Sequence, residues 1–134
     1  MASYRLIENE QQPIVEGSPG SRGRVLAGAS NGATCMAVVE RWLDPGTEVA
    51  AHRHPEGIEE VIWVRGGRGE FRVEDERAEV GPDHTLVIPP RARHSFRSVG
   101  DEPLWLFSRY SAATPTLLAD DGSEVGSEIP PLGL

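Results

Sequence analysis

Glycine and proline recur so often along this chain that few windows are long enough to form a helix. The 134 residues include 15 Gly and 11 Pro, and both residue types interrupt regular helices. The intervals between them hold short runs rich in Val, Ile, Phe and Trp, which favour β-strands. The sequence therefore predicts an all-β protein built from short strands.

Nine strands are predicted, and turn-forming residues separate them. Examples are Asp44-Pro45-Gly46 and Gly81-Pro82-Asp83, which combine residues that favour tight turns. Short strands at regular intervals are typical of a β-sandwich or a β-barrel. The predicted strands are Arg24–Leu26, Thr34–Leu43, Val49–His52, Glu60–Arg65, Gly69–Glu74, Arg77–Val80, Thr85–Ile88, His94–Ser98 and Leu104–Tyr110.

The chain is predicted to form a single domain with a distinct segment at each end. Its length lies in the usual single-domain range, and 38% hydrophobic residues are enough for a modest core. We expect the barrel to span residues 24–112, and residues 1–23 to form an N-terminal arm or an edge strand. Residues 113–134 have the composition of an extended tail, which lies either in solvent or along a neighbouring subunit.

The net charge and the cysteine content limit which classes of partner the chain is expected to bind and in which compartment it is expected to lie. A net charge of −8 disfavours binding to nucleic acids and to anionic membrane surfaces. No apolar run approaches the roughly 20 residues of a membrane-spanning helix, and Met1 begins no recognisable secretory signal. Because Cys35 is the only cysteine, an internal disulfide is excluded, and we expect a reducing, cytoplasmic location.

Two short segments carry the candidate metal ligands. His52 and His54 are two residues apart, so in an extended chain both imidazoles leave the same face. A carboxylate follows at Glu59 or Glu60, and His94 follows a proline-containing turn. Three neutral imidazoles and one carboxylate bind a divalent transition metal and leave coordination positions open for chemistry. Fe, Mn, Ni, Zn, Co and Cu all accept such ligands, so the identity of the metal stays open.

The first segment resembles the first sequence motif of the cupin superfamily. That motif runs Gly, five residues, His-x-His, three or four residues, Glu, six residues and Gly. Gly46 precedes His52 by this interval, and an acidic residue and a glycine follow at the expected distances. The resemblance implies a small jelly-roll barrel, or double-stranded β-helix, that holds a divalent metal inside one end. It also implies a homodimer, because members of the superfamily often form dimers.

The second segment resembles the second cupin motif, Pro-x-Gly-x-x-His, less closely. Pro89 and His94 match this motif, but Arg91 stands where the family usually has Gly. Glycine adopts a positive φ angle at little cost, and a residue with a side chain does so less easily. We therefore expect the turn at Arg91 to be shaped differently from the family's usual turn.

The acidic ligand has two candidates in the sequence. Six residues separate Glu59 from Gly66, and six also separate Glu60 from Gly67. Side chains alternate in direction along a strand, so only one of the two carboxylates faces inward. The apolar run from Glu60 to Val64 favours Glu60, and Glu59 remains a candidate.

Any catalysis is expected to rest on the metal. The sequence shows no Gly-x-Ser-x-Gly nucleophile, no neighbouring Cys–His pair and no phosphate-binding loop. The cupin resemblance implies a metal-dependent enzyme acting on a small oxygen-bearing organic molecule, either a dioxygenase or an isomerase/cyclase. The alternative is a non-catalytic barrel that binds a small molecule. Beside the metal, the residues expected to line the pocket of the barrel are Met36, Val38, Ile62, Phe71, Ile88, Phe96 and Phe107.

Overall fold

A computed structural model describes residues 4–127 of the chain, and these residues form antiparallel strands joined by short turns. Short 3₁₀ helices occur at Asn9–Gln11 and Ala29–Asn31. No helix in the described range has both the length and the apolar character needed to cross a membrane. The strands are β1 Val15–Glu16, β2 Ser21–Ala27, β3 Ala37–Leu43, β4 Glu48–His52, β5 Glu60–Gly66, β6 Gly69–Val73, β7 Glu76–Val80, β8 Thr85–Ile88, β9 His94–Ser98, β10 Leu104–Tyr110, β11 Thr116–Leu118 and β12 Glu124–Ser127.

Two antiparallel sheets face each other and enclose the core of a jelly-roll barrel. The larger sheet has six strands in the order β1-β2-β3-β10-β5-β8, and the smaller has four in the order β4-β9-β6-β7. Neighbouring strands come from distant parts of the chain, as the position of β10 between β3 and β5 shows. β1 lies at one edge of the larger sheet. The predicted all-β jelly-roll class is therefore confirmed.

The inward side chains of both sheets form one hydrophobic core. On β5 and β10 the buried residues alternate with more exposed ones, as expected for strands with a single inward face. Phe71 of β6 stacks on Phe96 of β9, directly opposite, with ring centroids 4.9 Å apart. The core residues are Leu43, Val49, Ile62, Val64, Phe71, Val80, Ile88, Ala92, Phe96, Leu104 and Leu106.

Three residues that we expected in the pocket lie outside the barrel interior. Val38 and Phe107 are on the outer face of the six-stranded sheet, where Phe107 stacks on Trp63 with 5.4 Å between ring centroids. Met36 is 42% exposed, and its sulfur accepts a hydrogen bond from Arg109 Nη2 at 3.0 Å. These three expectations are incorrect. Both faces of β3 and β10 carry apolar residues, which hides the inward face at Val38 and Phe107 from a pattern-based analysis. Met36 precedes β3 and does not belong to an inward-facing strand position. The other four lie in the core: Ile62, Phe71, Ile88 and Phe96.

The C-terminal segment forms a hairpin, in contrast to the extended tail that its composition predicts. β11 and β12 pair antiparallel, and the connection between them turns at Gly122, whose φ angle is +85°. Asp121 Oδ1 accepts hydrogen bonds from the backbone N–H and the hydroxyl of Ser123, which stabilise the turn. Leu117 is fully buried, so apolar burial also holds the hairpin on the barrel. The rest of the expected tail, residues 128–134, lies outside the described residues, as do residues 1–3.

Candidate metal centre

The candidate ligands come together at one end of the barrel, between the two sheets. His52 ends β4 and His94 begins β9, and these two strands pair with His52 opposite His94. His54 lies two residues beyond the end of β4. Glu60 begins β5, which belongs to the facing sheet. Both sheets therefore contribute to the site.

The three imidazole rings are buried and lie close together. The centroid of the His52 ring lies 4.3 Å from that of His94 and 5.2 Å from that of His54. The centroids of His54 and His94 are 5.3 Å apart. One nitrogen of each ring lies within 4.8 Å of the nitrogens of the other two. Metal–imidazole distances are about 2.0–2.1 Å, so three nitrogens this close can share one ion after small side-chain shifts.

Glu60 faces the histidines, whereas Glu59 does not. Glu60 Oε1 lies 3.3 Å from His54 Nε2 and 3.1 Å from His94 Nε2, and the carboxylate is buried. Glu59 is exposed, and its backbone N–H donates to Ser111 Oγ at 2.8 Å. Adjacent residues entering a strand point to opposite faces, so only one of the two carboxylates reaches the site.

Two turns hold the ligand segments together. Residues Pro55–Ile58 form a turn closed by a 3.1 Å hydrogen bond from Ile58 N–H to Pro55 O. Arg91 has a φ angle of +67°, so it adopts the conformation usual for glycine, and the expectation of a differently shaped turn is wrong. This conformation costs a residue with a side chain roughly 1–2 kcal/mol. Hydrogen bonds from Arg91 N–H to His54 O (3.2 Å) and from Arg53 Nη1 to Arg91 O (2.9 Å) offset that cost.

Backbone carbonyls determine which nitrogen of each ring faces the centre. A carbonyl oxygen only accepts hydrogen bonds, so a ring nitrogen in contact with it carries the proton. The other nitrogen of a neutral ring, Nε2, then presents its lone pair to a cation. The three contacts are His52 Nδ1 to Ala50 O at 2.9 Å, His54 Nδ1 to Thr116 O at 2.8 Å, and His94 Nδ1 to Ala92 O at 2.9 Å.

The atoms that meet at the centre suit a cation. Among the described residues, Glu60 Oε1 and His94 Nε2 are buried without a hydrogen bond, although they are 3.1 Å apart. Burial by itself raises the pKa of the Glu60 carboxyl. When the imidazole rings carry a second proton, hydrogen bonds and positive charge from His54 and His94 outweigh this effect and hold that pKa well below its ordinary value. A buried carboxylate beside inward-facing imidazole lone pairs is the donor set of a divalent metal site, so these residues fit such an ion.

Comparison with known protein families agrees with this arrangement. The cupin domain family matches residues 41–109, the stretch that carries all four candidate ligands. The chain is a cupin. The family that its two motifs resemble is therefore confirmed.

One curated relative of this cupin and one protein of similar fold have names that refer to polyketides. The chain is 34% identical over 91 residues to the polyketide synthase CurC of Streptomyces cyaneus, which covers 68% of this chain and 56% of that protein. The fold is similar to that of the polyketide cyclase RemF from Streptomyces resistomycificus, with a TM-score of 0.72, 19% identity and 89% of each chain covered. KdgF from Halomonas sp. gives a TM-score of 0.70 at 18% identity, with 89% and 98% covered. The chain spans about half the length of the curated relatives it matches.

Two neighbours of the site were missed by the sequence analysis. The Tyr110 ring meets the His54 ring edge-on, with 5.2 Å between centroids, and lies opposite Glu60 in the register of β10 and β5. Tyr110 falls on the same face of β10 as the buried leucines of that strand. Alternation along the strand could therefore have predicted that its side chain points inward. The Thr116 carbonyl, 62 residues from His54, has no such signal, since every residue carries a backbone carbonyl.

The carbonyl contacts predict one tautomer for each ligand histidine of this cupin. Long-range proton–nitrogen NMR spectra of the metal-free protein, recorded at a pH where all three rings are neutral, should show the single ring proton on Nδ1 of His52, His54 and His94. His84 is an internal control, because its Nδ1 accepts a 2.9 Å hydrogen bond from Gly81 N–H, which requires the proton on Nε2. Mixed tautomers at the three ligand histidines would contradict the assignment.

Proposed function

We propose that this cupin binds one divalent transition metal through His52, His54, His94 and Glu60. The observation that supports this most strongly is the meeting of three imidazoles and one buried carboxylate at one point between the sheets. Imidazole nitrogens with a single carboxylate suit Fe, Mn, Ni, Zn, Co and Cu, whereas Mg and Ca prefer oxygen ligands. An ion with more than four coordination positions would retain sites for water or substrate oxygen.

The two adjacent glutamates provide a matched test of the ligand set. Glu60→Gln removes the buried carboxylate and should weaken Zn²⁺ or Ni²⁺ binding by more than about 100-fold, the upper end of what loss of an outer-shell partner costs. Glu59→Gln removes the same charge from an exposed side chain and should leave the affinity unchanged. Competition with a chromophoric chelator measures both. Equal affinities for the two variants would contradict the role of Glu60.

We further propose that the site catalyses an isomerase- or cyclase-type reaction on a small molecule with several carbonyl oxygens. The relatedness to a polyketide synthase and the fold shared with a polyketide cyclase support this substrate class. A bound metal would act as a Lewis acid on a carbonyl oxygen, which makes a neighbouring C–H bond more acidic. That activation serves both a double-bond shift and ring closure.

The chain's own residues would orient and shield such a reaction. The carbonyls of Ala50, Ala92 and Thr116 hold the three rings in place, which preorganises the site. Beside His54, Tyr110 packs with Ile58 in a small buried apolar cluster. Apolar side chains at this position exclude water, and polar interactions with a bound substrate are stronger as a result.

The reaction class can be tested with enolisable poly-β-carbonyl compounds and the metal-loaded protein, followed by mass spectrometry and an oxygen electrode. We expect a product that is isomeric with its substrate or lighter by one water, without oxygen uptake. The double variant His52→Ala/His94→Ala should lose both the metal and the product. Oxygen uptake with an oxygenated product would instead indicate a dioxygenase. Saturable binding without any product would indicate the non-catalytic barrel.

We propose that the protein partner of the chain is a second copy, forming a homodimer. The outer face of the six-stranded sheet supports this, because it carries a strip of half-buried aromatic rings. Aromatic residues are enriched at protein interfaces. Val87, on β8 at the edge of the same sheet, adds a 56% exposed apolar side chain. The strip consists of Trp42, Trp63, Trp105 and Phe107.

The dimer can be tested by placing a charge within this aromatic strip. Trp63→Glu places a charge in the strip and should convert a dimer into a monomer in sedimentation equilibrium, because unpaired charges are costly at an interface core. Val99→Glu places the same charge on a partly exposed residue that follows β9 in the other sheet and should leave the mass unchanged. A monomeric wild-type protein would contradict the proposal.

We propose the cytoplasm as the location of this cupin. Cys35 is exposed and is the only cysteine of the chain. A reducing compartment keeps such a thiol free, which supports this location.

A further inference from the structure

The C-terminal hairpin, β11 with β12, contacts the segment that carries His54. Arg53 and Leu118 form an antiparallel bridge outside the two main sheets, with Arg53 N–H donating to Leu118 O at 3.0 Å. In return, Leu118 N–H donates to Arg53 O at 2.7 Å. The hairpin therefore pairs directly with the residue that precedes a candidate ligand.

The hairpin also orients the His54 ring itself. His52 and His94 donate their Nδ1 protons to carbonyls only two residues earlier in the chain, so their own segments orient those rings. His54 donates to the carbonyl of Thr116, which is 62 residues away and belongs to the hairpin. The orientation of His54 therefore depends on a separate element staying in place.

Two further contacts anchor the hairpin near the site. Leu117 is fully buried, and Arg93, next to His94, donates from Nε to Asp120 Oδ1 at 2.8 Å. The hairpin thus bridges the two segments that supply the histidines. It lies beyond residues 41–109, the region that matches the cupin domain family.

We propose that this hairpin acts as a clasp that controls the metal affinity of the site. The inference rests on the proposed metal site. When the hairpin is docked, the Thr116 carbonyl holds the proton of His54 on Nδ1 and directs Nε2 toward the other three ligands. When it opens, the His54 ring can rotate and adopt a second tautomer. Metal binding then has to restrict this freedom again, which makes the free energy of binding less favourable. Because coupling between two equilibria is reciprocal, metal binding must in turn hold the hairpin closed.

Three variants of the full chain test the clasp. Leu117→Ala removes the buried anchor, and Leu118→Pro removes the N–H that donates to Arg53 O. Val125→Ala is the matched control, because it truncates a 47% exposed side chain on the other strand of the same hairpin. We expect Zn²⁺ affinity to fall about 10- to 100-fold in the first two variants, as for loss of an outer-shell partner. The control should stay within about twofold of the wild type.

A second readout separates the clasp from a general loss of structure. In metal-free Leu118→Pro, proton–nitrogen NMR should show a mixture of tautomers at His54, while His52 and His94 keep the proton on Nδ1. Hydrogen exchange at the Arg53 amide should be faster than in the wild type, and in the wild type Zn²⁺ should slow it. Equal disturbance of all three rings, or exchange that Zn²⁺ does not change, would contradict the clasp.

The outcomes distinguish failure of the clasp from failure of the metal site. If the wild-type protein binds no transition metal, the proposed function fails and the clasp fails with it. If the wild type binds Zn²⁺ and both hairpin variants bind it equally tightly, only the clasp is overturned. Binding that is weakened in the two hairpin variants and preserved in Val125→Ala supports both.

Discussion

The pairing of β4 with β9 is the interaction on which the rest of this cupin's chemistry depends. It sets His52 opposite His94 inside the barrel, and it leaves a space that β5 fills from the facing sheet with the carboxylate of Glu60. Burying a carboxylate is costly unless positive charge or hydrogen-bond donors compensate it. Holding these acceptors together at one point therefore lowers the stability of the metal-free barrel. Binding of a metal ion would offset that loss.

The structure surrounds this point with contacts that fix direction. Backbone carbonyls hold the three rings, and the turn at Arg91 is tied to His54 by a backbone hydrogen bond. The turn accepts an unfavourable backbone conformation to do so. Local geometry of this kind is typical of sites whose ligands must be in place before an ion or a substrate arrives. The scaffold itself says little about the reaction, because one fold supports many activities.

Much of the fold could be predicted from the sequence because its strands are short and clearly separated. Three predicted strands have the same limits in the structure: Thr85–Ile88, His94–Ser98 and Leu104–Tyr110. The preference for Glu60 over Glu59 as the inward-facing carboxylate followed from alternation beside a run of apolar residues, and the burial of the two side chains agrees with it. Where one face of a strand is apolar and the other polar, a period of two is enough to assign direction.

Where both faces of a strand are apolar, the sequence does not indicate which side chains point inward. In β3, Val38 and Val39 are adjacent and chemically alike, yet only Val39 is fully buried. In β10, Leu106 points inward while Phe107 points outward, and both are apolar. The docking of the C-terminal hairpin could not be foreseen for another reason. It depends on backbone groups of Thr116 and Leu118 far along the chain from His54, and neither composition nor spacing marks such contacts.

The most direct test of this account is anomalous X-ray diffraction from crystals of the protein grown with a transition metal, recorded on both sides of its absorption edge. The account predicts one strong peak between the sheets, about 2.0–2.2 Å from the Nε2 atoms of His52, His54 and His94 and from a carboxylate oxygen of Glu60. The absence of a peak at that position, or a peak held by other residues instead, would contradict it.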